Sequence, residues 1–187
     1  MQPPYNCDSL VQQIIDGLQP KFLCFWGHSG QAGSVGKECL SQWYPATFEI
    51  AGTSYDTAEH YMMAAKARLF DDNEAATKIL AAKHPGEAKK LGREVRGFKD
   101  DVWNDQRFRI VVEASLAKFE QNVELGEFLM KTGDRVLVEA SPQDRIWGIG
   151  LAQSSTDSER PENWRGLNLL GFALMVARDE LRARQSP

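Results

Sequence analysis

Apolar side chains return every three or four residues over most of this chain, and they alternate with polar side chains in only a few short stretches. The first pattern is typical of amphipathic helices and the second of strands. Asp8 or Ser9 is the expected N-cap of the first helix, and Gly133 is expected to end a later one. The pattern predicts a helix around Glu59, a helix that ends at Gly133, and helices over 8–18, 74–83, 85–95, 105–121 and 169–182.

The predicted strands are few and short. They are followed by turn residues, and an Ala-Gly pair between two of them favours a hairpin. This hairpin leads directly into the helix that carries Glu59, for which Asp56 or Thr57 is the expected N-cap. Because helices outnumber strands, we expect a mainly helical α+β fold with a small antiparallel sheet, rather than a doubly wound parallel sheet. The predicted strands are 22–26, 47–50, 53–55 and 136–140.

Composition narrows the class of protein. A chain of 187 residues with 42% hydrophobic residues can bury one core, and no shift in composition marks a boundary, so we expect one domain over 1–187. The balance of 22 basic against 26 acidic residues gives a net charge of -4, which argues against nucleic-acid binding through bulk charge. Three cysteines without metal-ligand spacing, and no signal peptide or membrane-spanning stretch, favour a cytoplasmic protein that does not bind membranes.

The helix around Glu59 holds the most informative pair of charges. Glu59 and Lys66 lie two turns apart on nearly the same line of the helix, with Met62 and Met63 between them. Long helical side chains lean toward the N-terminus, so Lys66 is expected to reach back and share a pocket with Glu59. A purely structural ion pair at the edge of the core is an equally good interpretation.

A second informative stretch covers residues 141–150, at the end of the last predicted strand. Asp144 and Arg145 supply a carboxylate and a guanidinium, and Trp147 supplies a flat face on which a heterocycle can stack. Asp144 can protonate a leaving nitrogen or hold a sugar hydroxyl. The alternative is a turn in which Asp144 hydrogen-bonds its own backbone and Trp147 belongs to the core.

Other candidates are less specific. Trp43 and Tyr44 place two aromatic rings near a hydroxyl and an amide, and Arg165 and Asn168 precede the last helix, where an N-cap is the favoured role for Asn168. The glycine-rich loop 27–36 favours a plain connection over a lid. We predict no metal site and no cofactor, because the histidines have no second ligand at metal spacing; they are His28, His60 and His84.

Four segments together resemble the NADAR family, specifically its YbiA-like members, from about residue 22 to residue 182. The motif residues of the family match Glu59, Lys66, Asp144 and Trp147. Gln42 stands where many relatives have asparagine, Leu167 stands where many have lysine, and the loop 27–36 is long. The matching segments are 40–45, 55–67, 141–150 and 164–171.

This resemblance implies an N-glycosidase that acts on early riboflavin-pathway intermediates, the phosphoribosylamino-pyrimidines, and releases the base from ribose 5-phosphate. Two alternatives stay open: removal of ADP-ribose from guanine or a related nucleotide, and non-catalytic binding of a phosphorylated nucleoside. In each case the expected partner is a small phosphoribosyl or ADP-ribosyl molecule. The substrate-binding candidates are Trp147, Trp43, Tyr44, Arg145, Asn168 and Arg165.

Two chemical routes fit the catalytic candidates. In the first, a neutral Lys66 attacks the ring-opened imine of the sugar to form a Schiff base, while Glu59 moves protons. In the second, Glu59 or Asp144 activates water against an oxocarbenium-like sugar, and Lys66 binds phosphate. The sequence leaves both routes open.

Overall fold

The computed structural model describes residues 5–29 and 34–185, so residues 30–33 of the predicted glycine-rich loop lie outside it. Helices dominate and two pairs of short strands accompany them, which confirms the predicted α+β class. Two 3-10 helices, Lys37–Leu40 and Pro161–Asn163, lie in the connections. In chain order the other elements are α1 (Cys7–Ile15), β1 (Phe22–Phe25), β2 (Phe48–Ile50), β3 (Thr53–Tyr55), α2 (Ala58–Leu69), α3 (Asn73–Leu80), α4 (Pro85–Arg93), α5 (Asp100–Gln121), α6 (Val123–Lys131), β4 (Val136–Glu139) and α7 (Leu169–Gln185).

The strands form two separate pairs. β2 and β3 are the predicted antiparallel hairpin, whereas β1 and β4 pair in parallel, with Phe22 opposite Val136 and Phe25 opposite Glu139. The sequence analysis did not predict this parallel pair. A parallel partner is accessible because the long helical segment between the two strands carries the chain back to the starting edge. The carboxyl ends of β1 and β4 therefore meet at one edge, where residues 140–150 begin.

Helix α2 lies in the interior of the helical part. It packs against α3, α4 and α5, while α5 packs along α7 and α7 covers β4. Eight of the 12 residues of α2 are buried, and Glu59 is one of them. Helix α4 can approach α2 closely because it presents Gly92 there; a Cβ at this position would collide with the side chain of Met63. This packing brings α4 over the first turns of α2.

Several helix ends differ from the predicted bounds by a few residues, and the starts of α1 and α5 have a physical explanation. The N-cap of α1 is Asn6, whose side chain accepts a hydrogen bond from Ser9 N at 2.8 Å, so the expected cap at Asp8 or Ser9 is wrong. Helix α5 begins at Asp100 rather than at 105, because Asp100 and the acidic residue after it favour the positive end of the helix dipole. In the described ranges, no helix combines the length and the apolar character that crossing a membrane requires.

Candidate active site

The N-terminus of α2 points Glu59 into the protein. Thr57 is the N-cap, one of the two predicted, and its hydroxyl accepts a hydrogen bond from His60 N. Glu59 N, which has no partner within the helix, donates to Gln42 O at 3.0 Å. The segment before β2 therefore completes the helix end, and the Glu59 side chain is only 2% exposed.

Burial controls the chemistry of the Glu59 carboxyl. It raises the pKa of Glu59 to about 7, the negative charge of Asp144 raises it further, and the positive charges of Lys89 and Arg93 act in the opposite direction. The neighbouring indole N–H of Trp43, a hydrogen-bond donor, also lowers the pKa of Glu59. One oxygen, Oε1, is buried and has no hydrogen-bond partner among the described residues. Glu59 thus combines a pKa near neutrality with an unsatisfied acceptor.

A second buried carboxyl, Glu139, lies at the end of β4. Burial raises the pKa of Glu139 to about 8, and the charges of Asp144 and Glu59 raise it too. Its Oε2 is buried and lacks a partner among the described residues. The strand end is fixed by Asn168, whose Oδ1 accepts from Glu139 N and whose Nδ2 donates to Leu137 O, both at 2.9 Å. Glu139 is therefore held rigidly at the edge where β1 and β4 end.

The sequence analysis missed Glu139, although the strand pattern contains a signal for it. Side chains two apart on a strand share a face, and Leu137, two residues earlier, is fully buried. An acidic residue on the face of a buried leucine is unusual and marks a candidate site.

Asp144 belongs to the turn that follows Glu139. Its Oδ1 accepts hydrogen bonds from Ile146 N at 2.9 Å and from Trp147 N at 2.8 Å, as the structural alternative for this residue predicts. The turn also lies tight against the strand end, since a Cβ at Gly148 would come within 2.8 Å of Glu139 O. The charge of Asp144 nevertheless acts on Glu59 and Glu139, so these three residues, here called the carboxylate cluster, form one electrostatic unit.

The amine that acts on the carboxylate cluster is Lys89 of α4. Its positive charge lowers the pKa of both Glu59 and Glu139, and its Nζ lies 5.8 Å from the ring centroid of Trp43. The sequence analysis did not select Lys89. The packed face of α4 is made by small residues such as Gly92, so the neighbouring Lys89 lies at the edge of the contact with α2.

Among the described residues, Lys66 forms no hydrogen bond or ion pair with Glu59, so their shared pocket stays a prediction. Lys66 Nζ donates to Gly92 O at 2.8 Å and lies 4.2 Å from the ring centroid of Phe98. The C-terminal turn of α4 attracts a cation because its last carbonyls lack partners within the helix. Burial lowers the pKa of Lys66, and the acidic residue that opposes this effect is Asp100 rather than Glu59. The catalytic role of Lys66 stays a prediction.

Two predicted binding residues, Arg145 and Arg165, lie side by side on the surface. Both are exposed, and a Cβ at Gly150, whose φ is 67°, would lie 3.1 Å from a side-chain atom of each. The two side chains begin at the same point of the surface, and guanidinium groups can bind a phosphate in a bidentate manner.

The other predicted binding residues have mixed surroundings. Trp43 faces Glu59, and Trp147 is half-buried against the core. The ring of Tyr44 covers the amine of Lys118, at 5.5 Å. The predicted role of Asn168 as a side-chain N-cap is wrong. Its amide oxygen and nitrogen both bind the backbone of β4, so the side chain neither caps α7 nor has a free group for a substrate.

The carboxylate cluster is suited to proton transfer. Within residues 5–29 and 34–185, no three His, Cys, Asp or Glu side chains are grouped so that they could hold a metal ion. Instead Glu59 and Glu139 have pKa values near 7 and 8, so each can exchange a proton close to neutral pH. A pair of carboxyls with separated pKa values is typical of a general acid and a general base.

The chain is similar to known proteins over most of its length. Residues 24–182 match the model of the NADAR domain. The chain is 40% identical over 165 residues to N-glycosidase R617 of Acanthamoeba polyphaga mimivirus, covering 86% of this chain and 96% of that protein. It is 34% identical over 143 residues to riboflavin biosynthesis protein VVA0006 of Vibrio vulnificus, covering 76% of this chain and 35% of that protein.

The fold is similar to a solved structure as well. The NMR structure of the E. coli protein YbiA superposes with a TM-score of 0.69 at 25% identity, covering 90% of this chain and 89% of that one. The relatives named N-glycosidase support a glycosyl hydrolase role. The family-model match spans most of the chain, and the chain therefore belongs to the NADAR family.

Proposed function

We propose that this protein hydrolyses the N-glycosidic bond of a phosphoribosylamino-pyrimidine and releases ribose 5-phosphate and the pyrimidine base. The observation that carries the proposal is the pair of carboxyls on Glu59 and Glu139, each with a buried oxygen that has no partner in the described part of the chain. A buried acceptor without a partner is costly unless a ligand supplies a donor. The names of two relatives, an N-glycosidase and a riboflavin biosynthesis protein, support the bond type and the substrate class.

The two carboxyls divide the proton transfers of a hydrolysis. Glu139, with a pKa of about 8, holds its proton at neutral pH and can donate it to the departing nitrogen. Glu59, with a pKa of about 7, is partly ionised there and can accept a proton from the attacking water. Burial keeps both pKa values high, and the charge of Asp144 raises them further.

The substrate is anchored at the edge of the carboxylate cluster. Arg145 and Arg165 bind the 5-phosphate, because both are exposed and lie together at Gly150. Trp147 stacks on the pyrimidine, and Trp43 orients Glu59.

A Schiff-base route remains a second possibility for the same reaction. Lys66 is half-buried and burial lowers its pKa, which favours the neutral, nucleophilic amine. Lys89 is the alternative nucleophile, since its charge acts directly on Glu59 and Glu139.

The hydrolysis is tested with freshly prepared phosphoribosylamino-pyrimidine, by measuring ribose 5-phosphate release against buffer alone. We expect release by the wild type and little release by Glu59→Gln. ADP-ribosylated guanosine is assayed in parallel. Turnover of that compound alone would replace the proposed substrate with the ADP-ribosyl alternative, and saturable binding of either compound without turnover would identify a binding protein.

The route is tested by borohydride reduction during turnover, followed by mass spectrometry of the protein. Lys66→Met and Lys89→Met are compared with Lys90→Met, an exposed neighbour on α4. Loss of a sugar adduct in one of the first two variants alone identifies the nucleophile. Hydrolysis with no adduct in the wild type leaves the water route.

A further inference from the structure

Lys118 of α5 is a buried amine that the proposed reaction does not use. Its side chain is 2% exposed, and burial lowers its pKa to about 7. Lys118 Nζ donates to Cys39 O at 2.6 Å and to Ser41 O at 2.8 Å. These carbonyls lie at the C-terminal end of the 3-10 helix Lys37–Leu40. Carbonyl oxygens at such an end lack partners within the helix and therefore favour a nearby cation.

The carbonyls bound by Lys118 flank the segment that reaches the carboxylate cluster. Ser41 Oγ accepts a hydrogen bond from Trp43 N at 3.1 Å, and Gln42 O accepts from Glu59 N at 3.0 Å. The Trp43 indole lies near enough to the Glu59 carboxyl to lower its pKa. The segment that Lys118 holds at residues 39 and 41 is therefore bound through Gln42 O to the first turn of α2, and it carries the Trp43 ring.

Lys118 itself is shielded from any ligand. The rings of Tyr44 and Phe119 lie 5.5 and 5.1 Å from its Nζ, and two carbonyls occupy two of its three hydrogens. A nucleophile or a substrate-binding group needs an open approach, which this arrangement denies. The contacts thus favour an effect of Lys118 on its neighbours over a chemical role of its own.

We propose that Lys118 is a positioning residue: by holding the two carbonyls of the 39–41 turn, it fixes the Trp43 indole against the Glu59 carboxyl. The proposal concerns the free protein, so it does not depend on which substrate is hydrolysed. It distinguishes Lys118 from a residue that only fills the core, because a purely structural lysine would leave the titration of Glu59 unchanged.

The test measures the ionisation midpoint of Glu59 by infrared or carbon NMR spectroscopy in the absence of substrate, with Glu59→Gln used to assign the signal. The Trp43 indole N–H lowers the pKa of Glu59, so its loss raises the midpoint. We expect Trp43→Phe, which keeps a ring but removes the N–H, to move the midpoint upward by about one pH unit. Lys118→Met is expected to produce a similar upward shift.

The double variant gives the decisive comparison. If Lys118 acts through Trp43, adding Lys118→Met to Trp43→Phe moves the midpoint no further. Lys118→Arg, which keeps a charge and several donors for the carbonyls, is expected to restore most of the wild-type midpoint. An unchanged midpoint in folded Lys118→Met, or fully additive shifts in the double variant, would overturn the proposal.

A folding failure is also informative. If Lys118→Met does not fold, Lys118→Gln keeps an amide donor for one carbonyl and is expected to show a partial upward shift. If neither variant folds, Lys118 serves stability rather than positioning and the proposal is wrong. Absence of hydrolysis by the wild type, with the midpoint shifts intact, would refute the proposed function and leave the role of Lys118 standing.

Discussion

Two sites of this protein hold buried charged groups, and they differ in whether these groups have hydrogen-bond partners. The guanidinium of Arg178 in α7 is 2% exposed, yet it donates to Thr132 Oγ1 at 2.9 Å and lies beside the carboxylate of Asp179. Glu59 is buried and Glu139 is half-buried, but each keeps a buried oxygen without a partner among the described residues. The Arg178 site is complete within the chain, whereas the carboxylate cluster is not.

This difference indicates that the Arg178 site contributes to stability, whereas the carboxylate cluster serves function. A buried charge that is hydrogen-bonded and paired supports the fold, and removal of one partner is strongly destabilising. A buried carboxyl with an unpaired oxygen and a raised pKa lowers stability when it ionises. Such an arrangement is expected where a ligand supplies the missing donors. Variants at the two sites should therefore affect different measurements.

Glu59→Gln should have the largest effect on activity. The amide cannot exchange a proton, so kcat/KM for the proposed hydrolysis is expected to fall by about 10²- to 10⁴-fold. The free energy of unfolding at pH 8 should stay equal or rise, because an ionising buried group has been removed. Steady-state kinetics and urea unfolding measure the two quantities.

The matched control for Glu59→Gln is Glu49→Gln, which changes an exposed glutamate on β2 in the same way. It should alter neither quantity. Activity of Glu59→Gln within tenfold of the wild type would remove the distinction between the two buried sites.

Arg178→Met should show the opposite pattern. The substitution removes the hydrogen bonds from Arg178 to Thr132 Oγ1 and Arg135 O, while Asp179 keeps its bond from Tyr5, so we expect the free energy of unfolding to fall by about 1–3 kcal/mol. The value of kcat/KM per folded molecule should not change, because the hydrogen bonds of Arg178 within the described ranges go to Thr132, Arg135 and Asp179, which lie outside the carboxylate cluster. Arg109→Met, at an exposed position of α5, is the control. A large loss of kcat in folded Arg178→Met would contradict the comparison.

The sequence analysis located two of the three residues of the carboxylate cluster, Glu59 and Asp144, and missed Glu139. Helical periodicity and the Asp144 turn selected two segments that the structure does bring together. Helical periodicity gives the direction of a Cβ, but the position of the end of a long side chain depends on the partners within its reach. The amine of Lys66 therefore donates to Gly92 O of a different helix. Lys89 reaches the cluster only through the packing of α4 on α2, which no local pattern encodes.

The fold shows the same division. Element types follow from local pattern, so most of the helices and the hairpin could be predicted. The parallel pairing of β1 and β4 depends on how more than 100 residues between them fold, and it places Glu139 at the site edge. Long-range pairing is decided by the packing of the whole chain, which is why the sequence analysis did not find Glu139.

The pH dependence of stability gives the next largest effect. An unfolded glutamate releases its proton near pH 4.5, whereas folded Glu59 and Glu139 keep theirs until about pH 7 and 8. The folded state binds more protons in this window, so the free energy of unfolding should fall as pH rises, by about 1.4 kcal/mol per pH unit for each group. Above pH 8 this contribution is constant.

The quantity to measure is the difference between the wild type and Glu59→Gln/Glu139→Gln, from urea unfolding between pH 5 and 8. The difference cancels other titrating groups: Lys118, with its pKa lowered to about 7, raises stability with pH above neutrality, and paired Asp72 acts below pH 4. A difference that does not vary between pH 5 and 8 would show that the two carboxyls ionise normally in the folded protein.

Lys89→Met should have the smallest effect and gives the sharpest test of the electrostatic unit. The positive charge of Lys89 lowers the pKa of Glu59 and of Glu139, so its removal should raise both values and move the pH optimum of hydrolysis upward. At pH 6 a smaller fraction of Glu59 is ionised, so we expect kcat/KM to fall by about 3- to 10-fold, and above pH 8 the loss should shrink.

The first control for Lys89→Met is Lys90→Met, at the next, exposed position of α4, which should leave the pH profile unchanged. The Arg178 site supplies the second control: because its charge is balanced locally, Arg178→Met should lower the yield of folded protein without moving the optimum. An equal loss at every pH in Lys89→Met would mean that Lys89 binds substrate rather than tuning the carboxylate cluster.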